Sequence, residues 1–261
     1  MLKDITLGQY FPGNSIAHRL DPRTKILLVT LYIIALFSAK GWMGYAVMAV
    51  TLAACVKVSH VGLRALVRGL KPLVFIIAFT GILNMFFTPD THYLWEWGIL
   101  RVSVKGIENA LFMVIRIMLL VMGTFLMTYT TSPIRLTDGL ESLLNPLKKI
   151  HVPVHELAMM MAIALRFIPT LIEETDKIMS AQKARGADFD SGNIFQKAKA
   201  LVPILVPLFI SAFRRADELA TAMECRCYHG GEGRTKLHVL KYQRRDYVAL
   251  AGGAVILALV V

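Results

Sequence analysis

Arg185 and Arg226 are the two residues whose type and surroundings most clearly indicate a chemical role. Each one ends a long helical pattern and is followed by glycine, Gly186 for the first and Gly230 and Gly231 for the second. Glycine just beyond a periodic segment is typical of a helix C-terminus. Each arginine is therefore predicted to lie in a last helical turn, where the negative end of the helix dipole favours a cation.

The neighbours of both arginines are small, which leaves room for another backbone to come close. These neighbours are Ala184, Gly186, Cys225 and Cys227. A guanidinium in such surroundings can bind a carboxylate or several carbonyl groups through its planar set of donors. The alternative interpretation is that each arginine only caps its own helix.

The two segments that end at these arginines form a weak repeat. Residues 176–186 align with residues 217–227 at an offset of 41, with three identities and two conservative pairs in eleven positions. Both copies end a helical pattern and both precede glycine. The repeat predicts two helices that end in the same way.

Histidine and cysteine residues do not form a recognisable metal site. His155 and Glu156 begin like the helix of a zinc protease, but Met159 stands where that motif needs its second histidine. Four further potential ligands have a spacing that matches no common structural zinc pattern; they are Cys225, Cys227, His229 and His238. We therefore predict no bound metal.

The glycine-rich, basic segment 230–236 is not a phosphate-binding loop. The order G-x-x-x-x-G-K-[ST] is absent, and no predicted strand precedes the segment. The chain is therefore predicted to have no ATPase site and no cofactor of its own.

The elements that position these residues belong to a membrane protein. The mean hydropathy is +0.56, and the apolar residues collect in runs that a water-soluble core of 261 residues could not bury. This excludes a soluble enzyme and a disordered chain. The net charge of +11 is typical of cationic cytoplasmic loops, and no basic stretch with interleaved aromatic residues indicates nucleic-acid binding.

Five apolar stretches qualify as membrane spans: 26–39, 41–56, 73–88, 107–131 and 247–261. The N-terminal segment and the second loop carry clusters of Lys and Arg, whereas the third loop mixes both signs of charge. Under the positive-inside rule, the N-terminus and the second loop are expected in the cytoplasm. Alternation of the spans then places the C-terminus outside.

Residues 132–246 differ from the rest, because 17 basic and 13 acidic residues are spread through them. Their apolar runs, 157–165 and 201–213, are short and closely flanked by charge, and prolines interrupt them. Long amphipathic helices are the expected structure. We predict an all-α membrane protein with three parts: residues 1–131 with four spans, a cytoplasmic module over 132–246, and a last span over 247–261.

Asp21, Pro22, Arg23 and Lys25 precede the first span. Asp is a favourable N-cap and Pro a favourable first helical residue, so the motif predicts a helix start. Arg23 and Lys25 are then expected to anchor the inner membrane interface. A contact with a partner protein is the alternative role for this motif.

Three separated segments resemble a known family. Residues 15–28 (SIAHRLDPRTKILL), 164–189 (ALRFIPTLIEETDKIMSAQKARGADF) and 216–236 (ADELATAMECRCYHGGEGRTK) resemble, in order, motifs of the transmembrane T component of energy-coupling factor (ECF) transporters. The similarity extends over nearly the whole chain. It departs from the family where Cys-Arg-Cys stands in place of a second Ala-Arg-Gly or Ala-Arg-Ala.

The resemblance implies a scaffold in a prokaryotic cell membrane that takes up a vitamin or a metal ion together with other subunits. In the family, the arginines that match Arg185 and Arg226 end coupling helices, which dock on two ABC-type ATPases. ATP is bound by those ATPases, and the substrate is bound by a separate membrane subunit, the S component. The docking residues that the resemblance implies are Ala184, Arg185, Gly186, Cys225, Arg226 and Cys227.

Two other classes remain as alternatives. A conventional ABC permease would hold its own substrate path and would need polar residues across several spans, which are few here. An intramembrane enzyme would need paired catalytic groups at membrane depth. The predicted spans offer only Arg116, for which snorkelling or a polar contact within the bundle is the expected explanation.

Overall fold

The computed structural model describes residues 10–88, 93–97, 100–187, 189, 193–230 and 239–261, and these are mainly helical. The helices are α1 (Ile16–Arg19), α2 (Pro22–Ser38), α3 (Gly41–Ser59), α4 (Leu63–Leu70), α5 (Val74–Phe87), α6 (Val104–Thr130), α7 (Pro133–Leu144), α8 (Val154–Ala184), α9 (Ile194–Cys225) and α10 (Arg244–Val260). Short 3₁₀ turns follow α4, at Lys71–Leu73, and α7, at Asn145–Ile150.

The five predicted spans all lie in helices, which confirms the all-α membrane class. Three long apolar segments from these regions can cross a membrane by length and composition: Gly41–Ser59, Leu63–Phe87 and Val104–Thr130. The segment Leu63–Phe87 is longer than predicted because α4 continues into α5 through a 3₁₀ turn. Helices α2 and α10 have 17 residues each, the lower end of the range for a spanning helix.

Helix α8 is longer than its apolar run suggested. It has 31 residues and continues through Pro169, so its length and composition also suffice for a membrane crossing. A proline inside a helix removes one backbone hydrogen bond, but neighbouring turns can preserve the helix with a bend. Its apolar run is short and closely flanked by charge, which is why the sequence favours the cytoplasmic module for this segment.

A two-stranded hairpin interrupts the helices between α5 and α6, and the sequence analysis did not predict it. Strand β1 (Tyr93–Trp97) pairs antiparallel with β2 (Leu100–Ser103), with Glu96 opposite Arg101. Aromatic and β-branched residues favour strands, and these are frequent in this connection.

The described residues divide into two compact units, and the division falls within α7, between Gly139 and Leu140. The bundle unit comprises α1 to α6, the hairpin, the start of α7, and α10. The two-helix unit comprises the end of α7, α8 and α9.

The core of the bundle unit is built from apolar side chains of α2, α3, α4 and α6. Leu36, Met48 and Leu66 are fully buried there, and Leu119 is 8% exposed. Tyr32 joins α2 to α6, since its hydroxyl donates to the carbonyl of Leu119 over 2.9 Å. Small residues allow this close approach, as they commonly do between membrane helices.

Gly123 in α6 is the residue that makes room for Tyr32. A Cβ atom at position 123 would lie 2.5 Å from Cε1 of the tyrosine ring, a distance that real side chains do not reach. Gly252 in α10 offers a matched comparison, because a Cβ there would meet nothing within 4 Å. Both glycines lie inside helices.

We expect Gly123→Ala to destabilise the protein by about 1–3 kcal/mol, the usual range for forcing extra volume into a packed interior. Gly252→Ala should be neutral or stabilising, because alanine favours helix over glycine by roughly 1 kcal/mol. Thermal unfolding of the purified protein in detergent measures both effects. Equal melting temperatures for the two variants would contradict the packing described for Tyr32.

Candidate functional site

Arg185 and Arg226 occupy equivalent positions at the ends of α8 and α9. Each is the C-cap residue of its helix, with φ and ψ of −85° and 6° at Arg185 and of −93° and 15° at Arg226. The two helices have 31 and 32 residues. The weak sequence repeat therefore corresponds to two helices of similar length whose ends have the same backbone conformation.

Gly186 ends α8 by turning the backbone into the left-handed region, with φ of +88°. Its amide donates to the carbonyl of Lys183, and the next amide, of Ala187, donates to the carbonyl of Gln182, each over 3.0 Å. This pair of hydrogen bonds is the Schellman motif, which satisfies the last helical carbonyls. A Cβ at Gly186 would meet nothing within 4 Å, so glycine is favoured here by conformation alone.

Cys227 is the left-handed residue of the corresponding Schellman motif at the end of α9. Its φ is +53°, and its amide donates to the carbonyl of Glu224 over 2.8 Å. The following amide, of Tyr228, donates to the carbonyl of Met223 over 3.1 Å. The departure from the family motif thus preserves the helix end, at a backbone cost of about 1–2 kcal/mol for a residue with a side chain.

The six predicted docking residues, from Ala184 to Gly186 and from Cys225 to Cys227, are all exposed. Among the residues that the structure describes, neither guanidinium forms an ion pair or donates a hydrogen bond to its own helix. Backbone amides close both helix ends instead. No side-chain contact among the described residues therefore supports the interpretation that each arginine only caps its helix.

Helices α8 and α9 pack antiparallel, so their two arginines lie on opposite sides of the contact. Gln182, late in α8, donates to the carbonyl of Pro203, early in α9, over 3.4 Å. Glu174, earlier in α8, accepts a hydrogen bond from Ser211, later in α9. The carbonyl of Pro203 is open to the glutamine because Pro207, one turn further on, has no N–H to donate.

The spacing of the two arginines follows from this packing. Arg185 lies 11 residues beyond Glu174, and Arg226 lies 15 residues beyond Ser211. With a rise of about 1.5 Å per residue, the two helix ends are at most about 40 Å apart. Two separate proteins, rather than one small molecule, can be reached over such a span.

The N-terminal motif starts α2 as predicted. Asp21 is the N-cap and accepts the amide of Arg23 over 2.9 Å, and Pro22 is the first helical residue. The carboxylate of Asp21 also pairs with the guanidinium of Arg23 at 3.0 Å. That guanidinium lies over the ring of Tyr242, 4.0 Å from its centroid.

Lys25 does not anchor a membrane interface, which corrects the prediction for this residue. It is 7% exposed, and its Nζ donates to the carbonyl of Thr130 over 2.8 Å and to Oγ1 of Thr131 over 3.0 Å. Arg23 is likewise held inside the bundle unit by Asp21 and Tyr242. Both cations therefore connect the start of α2 to distant parts of the bundle unit. The sequence pattern of a helix start does not show such long-range contacts.

Arg116 has the polar contact within the bundle that was expected of it. Its Nε donates to the hydroxyl of Tyr45 over 2.8 Å, and its guanidinium lies 5.6 Å from the ring centroid of Phe37. The charge is thus surrounded by aromatic groups, which attract cations at this distance.

The described residues contain no group of three or more His, Cys, Asp or Glu side chains that could hold a metal ion. Nδ1 of His155 instead faces the carboxylate of Glu141 at 3.0 Å. His238 and most of the glycine-rich segment 230–236 lie outside the described residues.

Sequence reasoning missed one pair of residues in the two-helix unit. Arg215 donates to Glu174 across the two helices, with Nη2 and Oε2 3.0 Å apart. A signal lies two residues before the repeat, where the same 41-residue offset aligns Glu174 with Arg215 and so places opposite charges at equivalent positions.

Comparison with known proteins agrees with the three motifs. Residues 13–237 match the model of the CbiQ family, described as cobalt transport protein. The similar proteins include several that are named energy-coupling factor transporter transmembrane protein EcfT. The protein of Ruminiclostridium cellulolyticum is 54% identical over 94% of this chain and 92% of its own length. That of Acidaminococcus fermentans is 56% identical over 100% and 96%, and that of Bacillus subtilis is 47% identical over 99% and 98%.

These matches cover nearly the full length of this chain and of its relatives, at identities well above the level at which a family assignment is secure. Together with the apolar helices they identify a membrane component of a transporter. The chain therefore belongs to the family of transmembrane T components of energy-coupling factor transporters.

Proposed function

We propose that this T component transmits the motion of two ABC-type ATPase subunits, which dock at Arg185 and Arg226, to a substrate-binding membrane subunit. The observation that supports this most directly is the pair of equivalent helix ends. Both present an exposed guanidinium that has no ion pair among the described residues. A bidentate guanidinium between small residues fits a groove lined by carboxylates or carbonyl groups.

The two docking positions together bind the pair of ATPases bivalently. The two helix ends are at most about 40 Å apart, so each can bind one ATPase. Binding at one end raises the effective concentration of the second ATPase site at the other end. When ATP draws the two ATPases together, the docked ends move with them. The long helices then carry this movement towards the substrate-binding subunit.

An exposed apolar face on α9 supports contact with a membrane partner. Side chains three or four residues apart share this face, and their exposed fractions range from 45% to 69%; they are Val202, Leu205, Val206, Phe209, Ile210 and Phe213. Contiguous apolar surface of this kind is typical of a protein or membrane contact. We assign it to the substrate-binding S component.

A conventional permease that holds its own substrate path is the alternative, followed by an intramembrane enzyme. The name of the relatives, energy-coupling factor transporter transmembrane protein, favours the coupling role over both. Arg116, the charged residue well inside a predicted span, contacts Tyr45 and aromatic rings, and among the described residues it forms no ion pair.

We also propose the orientation that loop charge indicates, with the N-terminus and the module over 132–246 in the cytoplasm and the C-terminus outside. This orientation places both docking arginines on the side of the membrane where ATP is available. ATP would be bound by the partner ATPases, and this subunit needs no cofactor.

Replacing both arginines should detach the ATPases. Removing one partner of a desolvated charge pair costs about 2–5 kcal/mol, which corresponds to roughly 30-fold to several-thousand-fold weaker association. We expect Arg185→Ala and Arg226→Ala to lose transport while each keeps partial assembly through the other end. The double variant should lose the ATPases on purification, and lysine should rescue poorly because it lacks the planar fork.

Exposed cations elsewhere on the same two helices provide matched controls. Lys183→Ala and Arg214→Ala remove a positive charge from the same two helices and should leave assembly intact. A double Arg185/Arg226 alanine variant that still copurifies with both ATPases and transports at the wild-type rate would refute the docking role.

The purified subunit alone should hydrolyse no ATP, because it is predicted to lack a phosphate-binding loop. Phosphate release is measured with MgATP, first with this chain and then after both ATPase subunits are added. Hydrolysis by the isolated chain, at a rate that follows its concentration through purification, would contradict a non-catalytic role.

The orientation is tested with the exposed thiols Cys225 and Cys227. In cells that lack the partner ATPases, a membrane-impermeant maleimide should leave them unlabelled until the membrane is permeabilised. A cysteine placed at Ser191 should behave in the same way. Strong labelling of any of these positions in intact cells would show that the module is not wholly cytoplasmic.

A further inference from the structure

Glu174 and Arg215 form an ion pair between α8 and α9. The carboxylate accepts Nη2 of Arg215 at 3.0 Å and the hydroxyl of Ser211 through its other oxygen. The guanidinium of Arg215 also lies 5.8 Å from the ring centroid of Phe167 in α8. Glu174 and Arg215 are each about one quarter to one third exposed, so the pair is only partly screened by water.

The position of this contact is the same in both helices. Glu174 precedes Arg185 by 11 residues, and Arg215 precedes Arg226 by 11 residues. At about 1.5 Å per residue, each coupling arginine lies roughly 16 Å along its helix from the contact. Because the helices are antiparallel, the two helix ends extend from the contact in opposite directions.

The segments between the contact and the arginines are suited to transmit force. Residues 175–184 and 216–225 contain no proline and no glycine, so the helical hydrogen bonds are uninterrupted there. The prolines of both helices, Pro169, Pro203 and Pro207, all lie on the N-terminal side of the contact. Each helix thus has a regular C-terminal arm and an N-terminal arm in which proline allows bending.

We propose that Glu174 and Arg215 are positioning residues that act as the pivot of the two coupling helices. The inference rests on the proposed coupling function and adds the place where movement is passed on. When the docked ends move, the ion pair keeps the two helices from sliding past each other. Movement of the C-terminal arms is then converted into movement of the N-terminal arms.

The test uses the complete complex with both ATPases and measures distances between pairs of spin labels by pulsed electron paramagnetic resonance. The three native cysteines are replaced, Cys55 and Cys225 by Ala and Cys227 by Gly, so that the labels attach only at the chosen positions. One pair of labels, at Lys183 and Glu224, reports on the C-terminal arms. A second pair, at Leu157 and Phe195, reports on the N-terminal arms; all four positions are exposed. MgATP with vanadate, which traps the closed ATPase dimer, is the probe.

In the complex with an intact pivot, we expect MgATP with vanadate to change both distances. Glu174→Gln and Arg215→Gln should leave the change between the C-terminal arms in place and reduce the change between the N-terminal arms at least threefold. The charge exchange Glu174→Arg with Arg215→Glu should restore it. The adjacent exposed residues Glu173 and Arg214 give matched controls, because Glu173→Gln and Arg214→Gln remove the same charges outside the Glu174–Arg215 pair. Both control variants should behave as wild type.

Equal transmission in the Glu174→Gln, Arg215→Gln and control variants would overturn the pivot and leave the proposed docking function intact. Loss of the ATPases from the Glu174→Gln complex would also overturn it, because the pair would then serve docking rather than transmission. No change at the C-terminal arms, even with an intact pivot, would count against the coupling function and the pivot together.

Discussion

The bundle unit depends on one buried carboxylate, that of Asp246. This residue is 1% exposed, and its two oxygens accept the amides of Asp21 over 2.9 Å and of Gln243 over 2.7 Å. A buried carboxylate without partners would cost several kcal/mol, so these hydrogen bonds fix where α10 begins relative to α2. Because 225 residues separate Asp21 from Asp246, the junction joins the first long helix to the last.

The residues around this junction extend it to a third helix. Asp21 caps α2, Arg23 lies over Tyr242 just before α10, and Lys25 binds the carbonyl of Thr130 at the end of α6. The short motif at the start of α2 therefore holds three helices of the bundle unit at one end. Further along, Gly253 allows α10 to approach α2 closely, since a Cβ there would lie 2.7 Å from the side chain of Leu28. The bundle unit thus combines polar fixation at one end with close backbone packing along its length.

The two-helix unit is organised by a different principle, the way in which a helix stops. Both α8 and α9 end in the same Schellman motif, and this requires one residue in the left-handed conformation after the arginine. Gly186 meets that requirement without strain, and Cys227 meets it at a backbone cost of about 1–2 kcal/mol. The backbone amides complete the helix ends, and neither guanidinium has an ion pair among the described residues. Glu174, Ser211 and Arg215 form a polar contact between the two helices. The arginine at each helix end lies 11 residues beyond Glu174 or Arg215.

Four features can be predicted from the sequence: the membrane class, the five apolar helices, the cap of α2 and the position of both arginines at helix ends. These features are local, because apolar run length, N-cap chemistry and the glycine that follows a helix act within a few residues of the chain. The contacts of Lys25, Arg116 and Asp246 depend on tertiary packing, because each of them bonds to a residue more than 70 positions away. The pairing of Glu174 with Arg215 could not be predicted from the sequence either, although the 41-residue offset of the repeat aligns the two residues. A repeat shows which positions are equivalent, but the antiparallel packing of α8 and α9 decides which of them touch.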